Sequence, residues 1–157
     1  MTEAAFITRS ERIKSRLYRT AVLYLDSDHA ALDAVDEAIY RGFRGYKKLR
    51  NEAFFETWLT RILINLCKDE LKRRSREIPT DSIPEVSQEY LDTLPLKQAV
   101  AALPEELRAV IIPRYFTGLT LEETAETLEI PRGTVSTRQK RALALLRLDL
   151  EEKEVAK

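Results

Sequence analysis

Apolar positions recur at helical spacing along nearly the whole chain. Ile13, Leu17, Ala21 and Tyr24 stand at i, i+4, i+8 and i+11, and Leu32, Val35, Ile39 and Phe43 at i, i+3, i+7 and i+11. Each set predicts one amphipathic helix. Gly42 and Gly45, with Tyr46 to Asn51, predict a break, and a third helix is expected from about Glu52 or Phe54 to Arg73, burying Phe55, Leu59, Ile62, Leu63 and Leu66. No alternating strand pattern and no internal repeat is present.

Periodicity then lapses. From Glu77 to about Leu94 the chain holds Pro79, Pro84 and several Ser and Thr, with Pro95 just beyond, and reads as a tether. After it, Pro104 is expected at the first position of a helix whose first turn carries Glu105 and Glu106, where the dipole favours acids. Leu107, Val110 and Ile111 are its predicted buried face. Pro113 should kink that helix or end its regular hydrogen bonding near Ala109, and Gly118 closes it. Thr120 with Glu123 forms a capping box, opening a short helix with Leu121, Ala125 and Leu128 on one edge. Pro131 begins a last helix with Val135, Ala142, Leu143, Leu146 and Leu150 on its inner side. The expected fold is all-α: two small helical domains, residues 1–76 and 100–157, joined by a flexible linker over 77–99.

Charge changes the picture only when read by segment. The 157 residues carry 26 Lys and Arg against 26 Asp and Glu, a formal net charge of zero. Taken whole, that disfavours a nucleic-acid partner. Residues 1–76, however, hold 16 basic and 11 acidic side chains, residues 77–99 one basic and 5 acidic, and residues 100–157 9 basic and 10 acidic. In the last segment four glutamates, Glu122, Glu123, Glu126 and Glu129, precede Arg132, Arg138, Lys140, Arg141 and Arg147. Neutrality is a cancellation between segments.

One cysteine, Cys67, excludes an internal disulfide, and a single histidine, His29, removes most metal and triad chemistry. No cofactor, metal or small-molecule substrate is expected, and no enzyme. No stretch approaches the roughly 18 apolar residues of a membrane span, and Met1 to Ser10 lacks the features of a signal peptide. A soluble protein of the reducing cytoplasm is expected.

Three surfaces are candidates for function. A short capped helix, a turn across Leu128 to Pro131 and a second helix with a basic outer face predict a helix-turn-helix in the C-terminal domain. On that outer face Ser136, Thr137, Lys140, Arg141 and Arg147 lie opposite Val135, Ala142 and Leu146, within reach of phosphates and base edges. The plainer reading is a solvated face of a bundle helix. On the third helix Arg61, Asn65, Lys68 and Lys72 form one polar stripe, followed by Arg73, Arg74 and Arg76. Phe54, Phe55 and Trp58 precede it, either as a stacking platform for single-stranded bases or as ordinary core. Finally Asp26, Asp28, Asp33, Asp36 and Glu37 form an acidic cluster, either solvated or a surface for a basic protein partner.

These segments together resemble a bacterial sigma factor of the extracytoplasmic-function group of the sigma-70 family. The resemblance rests on Asp33-Ala34-Val35-Asp36-Glu37-Ala38, on Phe55 to Ile62 and Asn65 to Arg74, and, in the C-terminal half, on Leu103-Pro104-Glu105, Arg114 to Thr120 and Ile130 to Val135. It implies that the segment from Asp33 through Asp36, Glu37 and Tyr40 to Phe43 binds core RNA polymerase. Leu49, Arg50 and Asn51, with Trp58, Arg61, Asn65, Lys68 and Lys72, would melt the minus 10 promoter element and hold a flipped base. Arg132, Thr134, Ser136, Thr137, Arg138, Lys140 and Arg141 would read the minus 35 element as duplex. A membrane-anchored anti-sigma factor is the implied regulator. A stand-alone helix-turn-helix repressor is the competing expectation.

The chain departs from that pattern at four places. The family's turn carries Gly where Glu129 stands, a basic residue is common where Ser136 stands, and an apolar one where Gln139 stands. Pro113 is also unusual.

Overall fold

The computed structural model describes residues 1–76 and 94–155, with the side chains of the last helix described as far as Arg147. The tether expected over 77–93 and the inward placement of Leu150 lie outside the described residues and side chains. The chain folds as two units, one N-terminal and one C-terminal.

The N-terminal unit is built on three mutually packed helices, α1 (Glu3–Leu25), α2 (Asp28–Gly45) and α3 (Phe55–Ser75). The first two start where a hydroxyl can cap them. Thr2 accepts from the Ala5 N–H at 3.1 Å, and Ser27 from the Ala30 N–H at 3.2 Å. Short 3-10 turns at Tyr46–Lys48 and Glu52–Phe54 flank residues 49–51 and carry the chain from α2 to α3.

Along α1 the expected stripe is the buried one: Ile13, Leu17, Ala21 and Tyr24 are all inside, with Phe6 and Leu25. The stripe on α2 is the expected one only in part, at Val35. Its buried residues are Ala31, Val35, Ala38 and Gly42, whereas Leu32, Tyr40 and Phe43 are exposed and Ile39 is half-buried. The reason is the closeness of the helices. A Cβ on Gly42 would lie 2.8 Å from Leu59 Cδ1 and 3.4 Å from the Phe6 ring, so no larger residue fits at that position. The face of α3 is also rotated from expectation. Phe55, Leu59, Thr60, Leu63, Ile64 and Cys67 are buried, while Ile62 and Leu66 are half-buried, because α3 is covered by α1 and α2 together.

In the C-terminal unit α4 (Leu94–Ala102) packs on the last helix, with Ala99 and Val100 buried, so the final residues of the stretch expected to be tether are helical. α5 covers Glu105–Ile111. Pro104 lies just outside it as the capping residue with extended ψ of 143°, one place earlier than expected. Pro113 ends the regular hydrogen bonding at Ala109 as expected: the Ile112 N–H still reaches the Arg108 carbonyl, but Pro113 has no N–H for that of Ala109. With no N–H to donate, Pro113 sits in a π-turn, Ile112–Phe116, closed by the Thr117 N–H on the Ile112 carbonyl at 3.1 Å. Gly118 then reverses the chain at φ +82°, a left-handed value that suits glycine.

α6 (Leu121–Leu128) and α7 (Arg132–Val155) follow and pack on each other. Thr120 and Glu123 form the expected capping box, with reciprocal hydrogen bonds of 3.1 and 3.0 Å. Among the described residues every regular element is helical.

Candidate nucleic-acid interface

The turn between α6 and α7 aims the last helix. Glu129 is left-handed (φ 58°, ψ 44°), its N–H reaching the Glu126 carbonyl at 3.3 Å, while the Ile130 N–H reaches the Ala125 carbonyl at 3.1 Å. That double closure is the geometry usually made by glycine, here made by glutamate. Val135, Ala142 and Leu146 bury the inner face of α7 as expected, but Leu143 is exposed. Arg132, Thr137, Lys140, Arg141 and Arg147 are exposed, and Thr134 and Ser136 are half-buried.

Two of the candidate bases have acidic neighbours. Arg132 contacts Glu122, the second residue of α6, at 3.1 Å, with both side chains well exposed. Arg138 is half-buried and lies 3.9 Å from the exposed carboxylate of Glu106 on α5. Thr137 returns its hydroxyl to the Gly133 carbonyl at 3.0 Å.

Gln139 occupies the inner side of α7 without being orphaned there. Its carbonyl oxygen accepts from Arg114 Nε at 2.9 Å, and its amide donates to the Tyr115 hydroxyl at 3.3 Å. Arg114 also donates to the Leu119 carbonyl at 2.5 Å. The polar residue where an apolar one was expected is therefore matched by a polar π-turn. Sequence reasoning missed Arg114 in this role; the signal was Gln139 itself, a polar residue on an apolar stripe.

In the N-terminal unit α3 carries the second cationic surface. Asn65 and Lys72 are exposed, and Arg61 and Lys68 half-buried, along the stripe that their spacing predicts. The basic run beyond is partly neutralised. Glu70 accepts from Arg73 at 2.7 Å and from Arg74 at 3.2 Å, and these bonds, that from Arg73 foremost, hold its carboxyl below its ordinary range. Arg74 also donates to the Leu25 carbonyl at 2.7 Å, which ties the end of α3 to the end of α1.

The aromatic residues divide. Phe55 is fully buried, Trp58 is half-buried against Phe55 and Gly45, and Phe54 is 58% exposed. Only Phe54 is placed as an open stacking surface. Leu49 is half-buried, while Arg50 and Asn51 are exposed, and the Asn51 side chain accepts the Ala53 N–H at 3.0 Å. Cys67 lies at the centre of the core, and burial pushes its thiol up to about 12.

The outer face of α2 combines acids with large apolar groups. Asp33, Asp36 and Glu37 are exposed beside Leu32, Tyr40 and Phe43. His29 stands 3.5 Å from Asp33, and Arg41 donates to Glu37 at 2.8 Å. Phe43 is only partly exposed, its ring packing edge-on against Phe6 with centroids 5.6 Å apart.

Comparison with known proteins agrees with this geometry. Residues 10–77 match Sigma-70 region 2, and residues 99–148 match Sigma-70, region 4. RNA polymerase sigma factor SigV of Bacillus subtilis is 32% identical over 161 residues, spanning 99% of this chain and 96% of that protein. ECF RNA polymerase sigma factor SigM of Mycobacterium tuberculosis is 31% identical over 148 residues, 90% of this chain and 75% of that one. The chain belongs to the extracytoplasmic-function group of the sigma-70 family.

As a sigma factor it directs transcription initiation at particular promoters, in partnership with core RNA polymerase and promoter DNA. The fold agrees as well. The sigma factor RpoE of Bartonella quintana, solved with the anti-sigma factor NepR, superposes with a TM-score of 0.80 at 22% identity, over 94% of this chain and 97% of that one. CnrH, solved with the cytosolic domain of CnrY, gives 0.75 at 21% identity, over 96% and 90%. Among the described residues no helix is long and apolar enough to cross a membrane.

Proposed function

We propose that this sigma factor divides its task among the three surfaces. The outer face of α2, from Asp33 to Phe43, docks on core polymerase. Residues 49–51 and the polar stripe of α3 melt the minus 10 element and hold a displaced base. The outer face of α7, chiefly Arg132, Thr137, Lys140 and Arg141, reads the minus 35 element as duplex. The observation that carries this reading is the separation of charge: a cationic face on α7, a cationic stripe on α3 and an acidic, apolar face on α2 in a chain of zero net charge.

Zero net charge suits such a division. Attraction of the free protein to random DNA is weak, so useful binding follows docking on polymerase. The protein works in the cytoplasm, where polymerase and chromosome are. RpoE of Bartonella quintana was solved with the anti-sigma factor NepR, and on that likeness a membrane-anchored anti-sigma factor holds this protein until a stress signal arrives.

Footprinting of the reconstituted holoenzyme tests the assignment. Asn65→Ala is expected to reduce permanganate reactivity of minus 10 thymines while the minus 35 region stays protected. Reactivity equal to wild type would remove Asn65 and its stripe from promoter opening.

A further inference from the structure

Residues 49–51 lie between two short turns, and both turns rest on the first part of α1. Tyr46, in the turn before them, is buried and stacks on Phe6 with ring centroids 5.2 Å apart and planes inclined by 28°. Glu52, which opens the turn after them, gives its carbonyl to Arg9 Nη2 at 2.8 Å. Phe6 and Arg9 are neighbours on the helix, at i and i+3. The Arg9 guanidinium carbon also lies 4.8 Å from the centre of the Phe55 ring, and Phe55 is the fully buried first residue of α3. Entry and exit of the loop are thus tied to one helix, the first by ring stacking and the second by a planar cation.

The loop's own bonds complete the frame. The Leu49 N–H reaches the Tyr46 carbonyl at 3.1 Å, and the Phe54 N–H reaches the Asn51 carbonyl at 3.1 Å. What the frame presents outward is Arg50 and Asn51, with Leu49 half-buried beside them. A loop already shaped loses less conformational entropy when a ligand arrives, and its polar groups meet a base edge at a fixed angle.

We propose that Arg9 is a positioning residue for base recognition at Leu49–Asn51, holding the exit of the loop in its binding shape. This rests on the proposed role of that loop. The guanidinium is committed to a carbonyl and a ring, so its effect reaches DNA through the loop and not through a phosphate. Lysine cannot replace it, because a point charge lacks the planar fork that serves carbonyl and ring at once.

Holoenzymes carrying wild type, Arg9→Ala, Arg9→Lys, Leu49→Ala and Asn51→Ala are titrated with single-stranded oligonucleotides at several salt concentrations. One oligonucleotide carries the non-template minus 10 sequence, and the others carry single base changes in it. Both Arg9 variants are expected to lower matched-to-mismatched discrimination by roughly fivefold, the lower end of one base-specific contact. Their salt slope and their binding of minus 35 duplex should equal wild type. The loop variants should lose discrimination at the same base position. A slope shallower by about 0.7 with discrimination kept would make Arg9 a phosphate contact and overturn the proposal. Full discrimination in Arg9→Ala and Arg9→Lys, with discrimination lost in the loop variants, would overturn it too. Full discrimination in the loop variants would refute the reading of the loop itself. Where Arg9→Ala weakens competition for core polymerase, and so unfolds the unit, Arg9→Lys decides.

Discussion

Arg114 Nε donates a 2.9 Å hydrogen bond to the side-chain oxygen of Gln139, joining the π-turn after α5 to the inner side of α7. The pair is partly buried, and removing one member leaves the other with an unmatched polar group. Gln139→Ala is expected to destabilise the C-terminal unit by about 1.5 kcal/mol, the low end for a bond to a charged donor. A double-mutant cycle with Arg114→Leu and Gln139→Leu, read by urea denaturation, should give a coupling of about 1 kcal/mol. Additive effects would mean that the two side chains act independently.

Glu129 supports a second stability prediction. It is left-handed in a turn that glycine makes without a Cβ penalty. Glu129→Gly should stabilise the C-terminal unit by about 1 kcal/mol, the cost of that conformation for a residue with a Cβ. The check is a higher melting temperature. An unchanged or lower one would mean that the glutamate side chain supplies a compensating interaction.

Most of the fold was legible because helical period, caps and breakers agree along the chain. The capping box at Thr120 and Glu123 and the stripe on α1 stand where the pattern puts them. The buried face of α2 did so only at Val35, because periodicity weights large side chains, whereas Ala31, Ala38 and Gly42 complete the face, Gly42 in close contact with Leu59 and Phe6. The large residues then became the exposed face. Arg138 looked equivalent to Arg141 as a base on a basic helix; that Glu106 lies 3.9 Å from it could not be read from the helix alone. Arg9 gave no signal, since its partner is a backbone carbonyl 43 residues away.

Charge competition on the recognition helix is also measurable. Glu122 holds Arg132 at 3.1 Å in the free protein, and a DNA phosphate must displace it. Both side chains are exposed, so little stability is at stake. Glu122→Gln should tighten minus 35 duplex binding and steepen the log–log salt dependence by up to about 0.9, one phosphate contact. Unchanged affinity and slope would show that Arg132 takes no part in phosphate binding.

Cys67 links burial to alkaline stability. Its thiol is raised from an ordinary 9.0 to about 12 by burial in the folded chain. Between those values the unfolded chain gives up the thiol proton and the folded chain keeps it, so stability falls as pH rises. Cys67→Ala should flatten the fall in urea midpoint above about pH 9 relative to wild type. In the native protein the thiol should react with a disulfide reagent only as fast as the unit unfolds. Rapid reaction at neutral pH would contradict the burial.

The most direct test of promoter-specific initiation is run-off transcription with core RNA polymerase on a library of genomic fragments. The purified chain should produce discrete transcripts whose start sites share one minus 35 and one minus 10 sequence. Arg141→Ala and Asp36→Lys should reduce them, the first by weakening promoter contact and the second by weakening docking. No transcript above core polymerase alone on any fragment would contradict the assignment.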